Sequence, residues 1–180
     1  VEWYSRNRAL YEALARKVES IIREILDSDN LNYHSITSRA KTIASYEKKA
    51  SKLEYTEPLS EIEDMAGIRI ITYTDSDAKK VAQLIQNAFE ILPDGVVDKT
   101  KELGVDKVGY RSIHCIGTLG KNRLRLPENK IFKGLCFEIQ IRSILQHAWA
   151  EFEHDRNYKF KGILPNDIRR RLSILAGSLE

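Results

Sequence analysis

The sequence predicts an α+β domain in which a mixed sheet of four to five strands is flanked by helices on one face, leaving the other face open for chemistry. Three observations carry that expectation. Apolar residues recur at helical spacing in the opening segment, β-branched runs with period-two alternation fill the middle, and the two kinds of segment interleave without internal repeat or low-complexity tract. The 180 residues, 42% hydrophobic and 31% charged, fit one domain spanning 1–180. At this size folding buries roughly 70% of the surface of the unfolded chain, so no metal or disulfide staple is required.

From Trp3 to Leu26, Leu10, Leu14, Val18, Ile21, Ile22 and Ile25 form an amphipathic stripe, and Asp27-Ser28-Asp29-Asn30 ends the helix, so 1–28 is one unit. An extended piece over Tyr33–Ser38 leads into a second helix near Thr42–Leu53, with Ile43, Tyr46, Ala50 and Leu53 inward and Pro58 closing the unit. Gly67–Tyr73 reads as a central strand. Thr74 or Ser76 caps a helix whose Val81, Leu84, Ile85, Ala88 and Phe89 are buried and which ends before Pro93, giving a βαβ-like unit with the strand beyond. Tyr110–Leu119 and Ile131–Ser143 read as two strands of a hairpin with a long, basic tip containing Pro127. A helix over Ile144–Tyr158 completes a core of 29–160. The last segment, 161–180, carries Ile168, Leu172, Leu175 and Leu179 as an amphipathic helix that reads as truncated at Glu180.

Composition narrows the function. A net charge of +3, from 29 basic and 26 acidic residues, is too slight to mark a nucleic-acid binder. Its distribution says more: Arg39–Lys52 holds five basic residues and one acidic, whereas Glu54–Asp64 holds five acidic and no basic ones, a pairing that suits polyphosphate beside a divalent cation. Cys115 and Cys136 sit in strand-like runs outside any CxxC context, which points to free thiols in a reducing, cytoplasmic setting. No run approaches the roughly 20 apolar residues of a membrane span, and the first residues do not read as a signal peptide.

Alternation on the last strand sorts Leu135, Phe137, Ile139 and Ile141 to one face and Glu138, Gln140 and Arg142 to the other. The same parity groups Tyr110, Ser112 and His114 on the neighbouring strand, an aromatic and an imidazole beside a carboxylate, a set able to grip a nucleotide. In the second helix Lys41, Ser45, Lys49 and Lys52 share one face near the N-terminus, where orphan N–H groups and the macrodipole favour anionic oxygens. Neither a Walker loop nor a Gly-x-Gly-x-x-Gly fingerprint is present. Asp64 precedes the strand Gly67–Tyr73, and carboxylates at strand ends such as Asp64 and Glu138 are a usual way to hold Mg²⁺ when substrate phosphates supply further ligands. His147, Glu151 and His154 share a helical face, but without the His-Glu-x-x-His spacing of a zinc site they read as exposed residues or as supports behind a site.

Five blocks, in order, resemble the synthetase domain of the RelA/SpoT-homology family of alarmone synthetases. They are Arg39-Ala40-Lys41 with Ser45 and Lys49, Asp64-Met65-Ala66-Gly67-Ile68-Arg69, Gly109-Tyr110-Arg111-Ser112-Ile113-His114, Glu138-Ile139-Gln140-Ile141-Arg142, and Glu153-His154 through Tyr158-Lys159. The resemblance implies a nucleotidyltransferase-like sheet and Mg²⁺-dependent transfer of the ATP β,γ-pyrophosphate to the 3′-hydroxyl of GDP or GTP. By position, Arg39 and Arg69 would sandwich the adenine, Lys41, Ser45 and Lys49 would hold the ATP phosphates, and Asp64 would bind the metal. Glu138 would act as metal ligand or general base. Tyr110 and His114, with Gln140 and Arg142 on the same face, would meet the acceptor. Val108 departs from the polar residue, often Asn, of members that use guanine nucleotides, which leaves ADP, AMP or a tRNA 3′ end open as acceptor. His147–Asp155 resembles the small single-domain members. The resemblance also leaves open a homo-oligomer and an antitoxin or regulatory partner, as well as a catalytically silent nucleotide- or RNA-binding module on the same fold.

Overall fold

The structure, a computed structural model, describes residues 1–52, 55–98 and 112–159, with Arg171 and Ile174; over 152–159 it describes the backbone alone. Helix α1 runs over Glu2–Ser28 and buries Tyr4, Tyr11, Leu14, Val18, Ile22 and Leu26; of the expected stripe Leu14, Val18 and Ile22 are buried, while Leu10, Ile21 and Ile25 are half-buried. Strand β1, Tyr33–Ala40, follows. Helix α2, Ile43–Ala50, starts at Thr42, whose side chain accepts from the Ser45 N–H, and a single turn α3 forms at Pro58–Glu61. Strand β2, Ala66–Thr72, leads through the Thr74 cap to α4, Asp75–Ala88. Strands β3, Glu90–Asp98, and β4, Ile113–Thr118, come next, then a short α5 at Gly120–Leu124 and a 3₁₀ turn at Pro127–Phe132. Strand β5, Phe137–Ser143, passes directly into α6, Ile144–Lys159.

The five strands lie in the order β1-β2-β5-β4-β3. β2 and β5 are parallel and the other neighbours antiparallel, so β2 and β3 run the same way with two strands between them. The expected βαβ unit is thus present in split form. Ile68, Ile70, Ile139 and Ile141 meet Leu14, Val18 and Ile22 of α1 and Val81 and Ile85 of α4 in one apolar cluster. This is the closed face.

Several expectations are corrected. Glu90–Asp98 is a strand although it contains Pro93 and Gly95; it lies at the sheet edge, where proline is tolerated, and its register slips between Ile91 and Val96, with Asp94 at φ 58. The last strand begins at Phe137 and not at Ile131, because Pro127 starts a helical turn and Gly134, at φ +81, bends the chain. Leu135 therefore precedes the alternating run. The second helix is shorter than expected, so Lys41 and Lys52 flank it, and Ile43 is exposed where an inner position was expected. α6 leans on β5 and β2, so the second face is only partly open. Leu53, Tyr110 and most of the expected closing helix fall outside the described residues. No helix among the described residues is long and apolar enough to cross a membrane.

Candidate active site

Sheet register places the candidate side chains in rows. Arg39, Gly67, Glu138 and Ile116 stand side by side across β1, β2, β5 and β4; one row on come Thr37, Arg69, Gln140 and His114. Period-two geometry sends these side chains to the face opposite the apolar cluster. A cleft of about 240 Å³ opens there, lined by Arg39, Lys41, Thr42, Ser45, Asp64, Gly67, Arg69, Glu138 and Gln140, among others. Because β2 and β5 are parallel, Asp64, just before β2, and Glu138, near the start of β5, approach this cleft from the same end.

Asp64 is clamped by two ammonium groups. Lys41 Nζ donates to Oδ2 at 2.6 Å and Lys49 Nζ to Oδ1 at 3.1 Å. Burial pushes the carboxyl pKa up, but the hydrogen bonds and charges of both lysines outweigh it and hold Asp64 below the ordinary aspartate range. Lys49 is correspondingly raised: burial lowers it and the bond to Asp64 more than compensates.

Glu138 is held by a polar ladder running along the sheet surface. His114 Nδ1 lies 2.7 Å from Oε1, Gln140 Nε2 donates to Oε2 at 2.9 Å, and Arg142 donates to Gln140 Oε1 at 2.8 Å. The far ring nitrogen of His114 shares a 2.7 Å hydrogen bond with Ser112 Oγ. Burial raises the Glu138 pKa and the Asp64 charge adds to the rise, yet the contacts from His114 and Gln140 prevail and the pKa is lowered. Glu138 is therefore an ionised acceptor, so the His114 Nδ1 carries the proton between them.

Of the sequence-derived candidates, Arg39, Lys41, Ser45, Asp64, Arg69, Glu138 and Gln140 share the cleft wall, Lys49 enters through Asp64, and His114 through Glu138. Arg142 is buried and braces Gln140, whereas a solvated sheet surface would have left it exposed. Tyr110 lies outside the described residues. Arg69 also reaches Glu151 of α6 at 3.5 Å. Thr42 lines the cleft as the α2 cap; its signal in the sequence was a threonine directly before an apolar-periodic run. Both cysteines are free, and burial raises each thiol to about 11.

Among the described residues no three His, Cys, Asp or Glu side chains converge as a metal cage. Mg²⁺, however, is commonly held by one or two carboxylates with phosphate and water completing its shell, and two ionised carboxylates on one cleft, with the Asp64 charge felt at Glu138, fit that donor set.

Comparison with known proteins agrees with the architecture. A sequence-family model described as "Region found in RelA / SpoT proteins" matches residues 38–163. The GTP pyrophosphokinase YjbM of Bacillus subtilis (strain 168) is 32% identical over 152 residues, covering 81% of this chain and 66% of the relative. The chain thus spans just under two thirds of that relative's length. Small alarmone synthetase 2 from Bacillus subtilis shares the fold with a TM-score of 0.77 at 24% identity, covering 98% of this chain and 91% of that one. Small alarmone synthetase 1 from Bacillus subtilis, solved bound to its product pppGpp, superposes with a TM-score of 0.75 at 22% identity, covering 99% and 91%.

Proposed function

The chain belongs to the RelA/SpoT family, and from that premise we propose that it is a Mg²⁺-dependent enzyme transferring the β,γ-pyrophosphate of ATP to the 3′-hydroxyl of GDP or GTP. The observation that carries this reading is the meeting of two ionised carboxylates, two lysines and two arginines on one cleft floored by Gly67. The relative YjbM is named a GTP pyrophosphokinase, and the product-bound neighbour holds pppGpp, which supports a guanosine acceptor here.

The roles follow from chemistry. Arg39 is exposed at the cleft edge and Arg69 lies one row along, so the two guanidinium planes suit the faces of an adenine. Triphosphate oxygens compete with Asp64 for the ammonium groups of Lys41 and Lys49, while Ser45, in the first turn of α2, offers a hydroxyl beside orphan N–H groups. As the phosphates draw the lysines away, Asp64 becomes available to a cation. Mg²⁺, held by Asp64 and Glu138, would supply charge neutralisation across the transferred group.

The acceptor's 3′ oxygen bonds to the β-phosphorus, the bond from that phosphorus to the α,β-bridging oxygen breaks, and AMP leaves. The hydroxyl proton departs toward Glu138 and onward to water. Glu138, as metal ligand or general base, would orient that hydroxyl. Rate then derives mainly from in-line positioning and charge stabilisation. His114 and Gln140 face the acceptor side, with Tyr110 as the base-stacking residue.

Incubating the protein with γ-labelled ATP, Mg²⁺ and GDP, GTP, ADP, AMP or tRNA in turn tests the reading. Label on the guanine nucleotides is expected; label confined to adenine nucleotides or tRNA overturns the acceptor assignment, and no transfer to any of them overturns the activity.

A further inference from the structure

Helix α1 lies outside the segment matched by the family model, residues 38–163, yet its first two turns reach the backbone of Lys41, a residue of the cleft wall. Tyr4 is fully buried, with its ring stacked on Tyr46 of α2 at a centroid distance of 4.4 Å. Its hydroxyl donates to the Lys41 carbonyl at 2.7 Å. Arg8, one turn along, donates from Nε to the same carbonyl at 3.2 Å and from Nη2 to the Ala40 carbonyl at 3.5 Å. On the other side, the Lys41 N–H donates to the Met65 carbonyl at 2.9 Å, next to Asp64.

Lys41 lies between strand β1 and the Thr42 cap, where neither ladder nor helix fixes its carbonyl. A lysine on such a junction loses much rotamer and backbone freedom when it meets a phosphate, and every constraint applied beforehand removes part of that cost. We propose that Tyr4 and Arg8 are positioning residues for the polyphosphate site, holding the Lys41 carbonyl so that α1 sets where the Lys41 ammonium meets the nucleotide. This rests on the reading that Lys41 binds ATP phosphates. Burial raises the Tyr4 pKa to about 12, which keeps its hydroxyl protonated and donating throughout the neutral range.

The test is a double-mutant cycle on the full chain, with AMPCPP binding in Mg²⁺ buffer measured by calorimetry. Tyr4→Phe keeps the ring stack and removes only the hydroxyl. It is expected to weaken AMPCPP binding by roughly five-fold, the worth of one ordinary hydrogen bond, and to raise the KM for ATP while kcat changes by less than about two-fold. In a Lys41→Ala background, already weaker, the same change is expected to have no further effect, and Arg8→Gln is expected to follow the same pattern. Equal weakening in both backgrounds, or lower thermal stability with unchanged binding, overturns the proposal while leaving the role of Lys41 intact. Unchanged binding in Lys41→Ala alone overturns the phosphate reading, and the positioning role with it.

Discussion

Gly67 stands in register between Arg39 on one side and Glu138 on the other, and its missing side chain makes the cleft floor out of backbone. A Cβ added there would meet only the Arg39 carbonyl, at an ordinary 3.8 Å, so the fold has room for alanine. Glycine inside a strand costs conformational entropy, and replacing it stabilises by up to about 1 kcal/mol. Gly67→Ala is therefore expected to leave the melting temperature unchanged or higher while weakening AMPCPP binding; lower stability with unchanged affinity would show that the glycine serves the fold and not the site. At this scale much was legible. Period two is a local rule, so the shared face of Glu138, Gln140 and Arg142, and the facing His114, could be read from the alternation alone. The clamp of two lysines on Asp64 could not, since it joins residues brought together by the β1–β2 pairing. The same limit applies to Arg142: its parity was readable, whereas its burial depends on what packs above it.

Elements were legible where their signals were strong and local. The stripe of α1 and the Thr74 cap of α4 are visible in the residues, but β3 was hidden because Pro93 and Gly95 are strand breakers everywhere except at an irregular edge. Docking of α1 on β1 has a polar component as well as an apolar one. Glu19 accepts from Arg23 at 2.6 Å and from Ser38 of β1 at 2.5 Å, and Arg23 donates onward to the Ile36 carbonyl at 2.6 Å. Burial raises the Glu19 pKa, but the bonds from Ser38 and Arg23 outweigh it and the pKa is lowered. A carboxyl depressed on folding contributes stability that is fully present above its unfolded pKa, about 4.3, and is lost as pH falls through its lower folded value. The wild type is thus expected to be more stable than Glu19→Gln at neutral pH, with the gap closing in acid below that unfolded value. Chemical denaturation across this range checks it, and a gap that does not vary with pH would assign the contact no electrostatic role.

At the level of the whole molecule, the decisive feature is the parallel pairing of β2 with β5. It lays two sequence-distant carboxylates at one end of the sheet, with Lys49 of α2 and Lys41 just before it supplying cations and Tyr4 of α1 bonded to the Lys41 carbonyl. The α+β class was readable from the order of elements, and the gathering of polar side chains on one sheet face from the alternation within them. The strand order was not, because it depends on non-local pairings that no single segment encodes. The central claim, that this cleft moves a pyrophosphoryl group as a unit, is tested most directly by following ATP, GDP and Mg²⁺ with the protein by ³¹P NMR. One AMP released for each GDP that gains two phosphates is the expected result; release of ADP with single-phosphate transfer, or consumption of ATP with no modified acceptor, would contradict it.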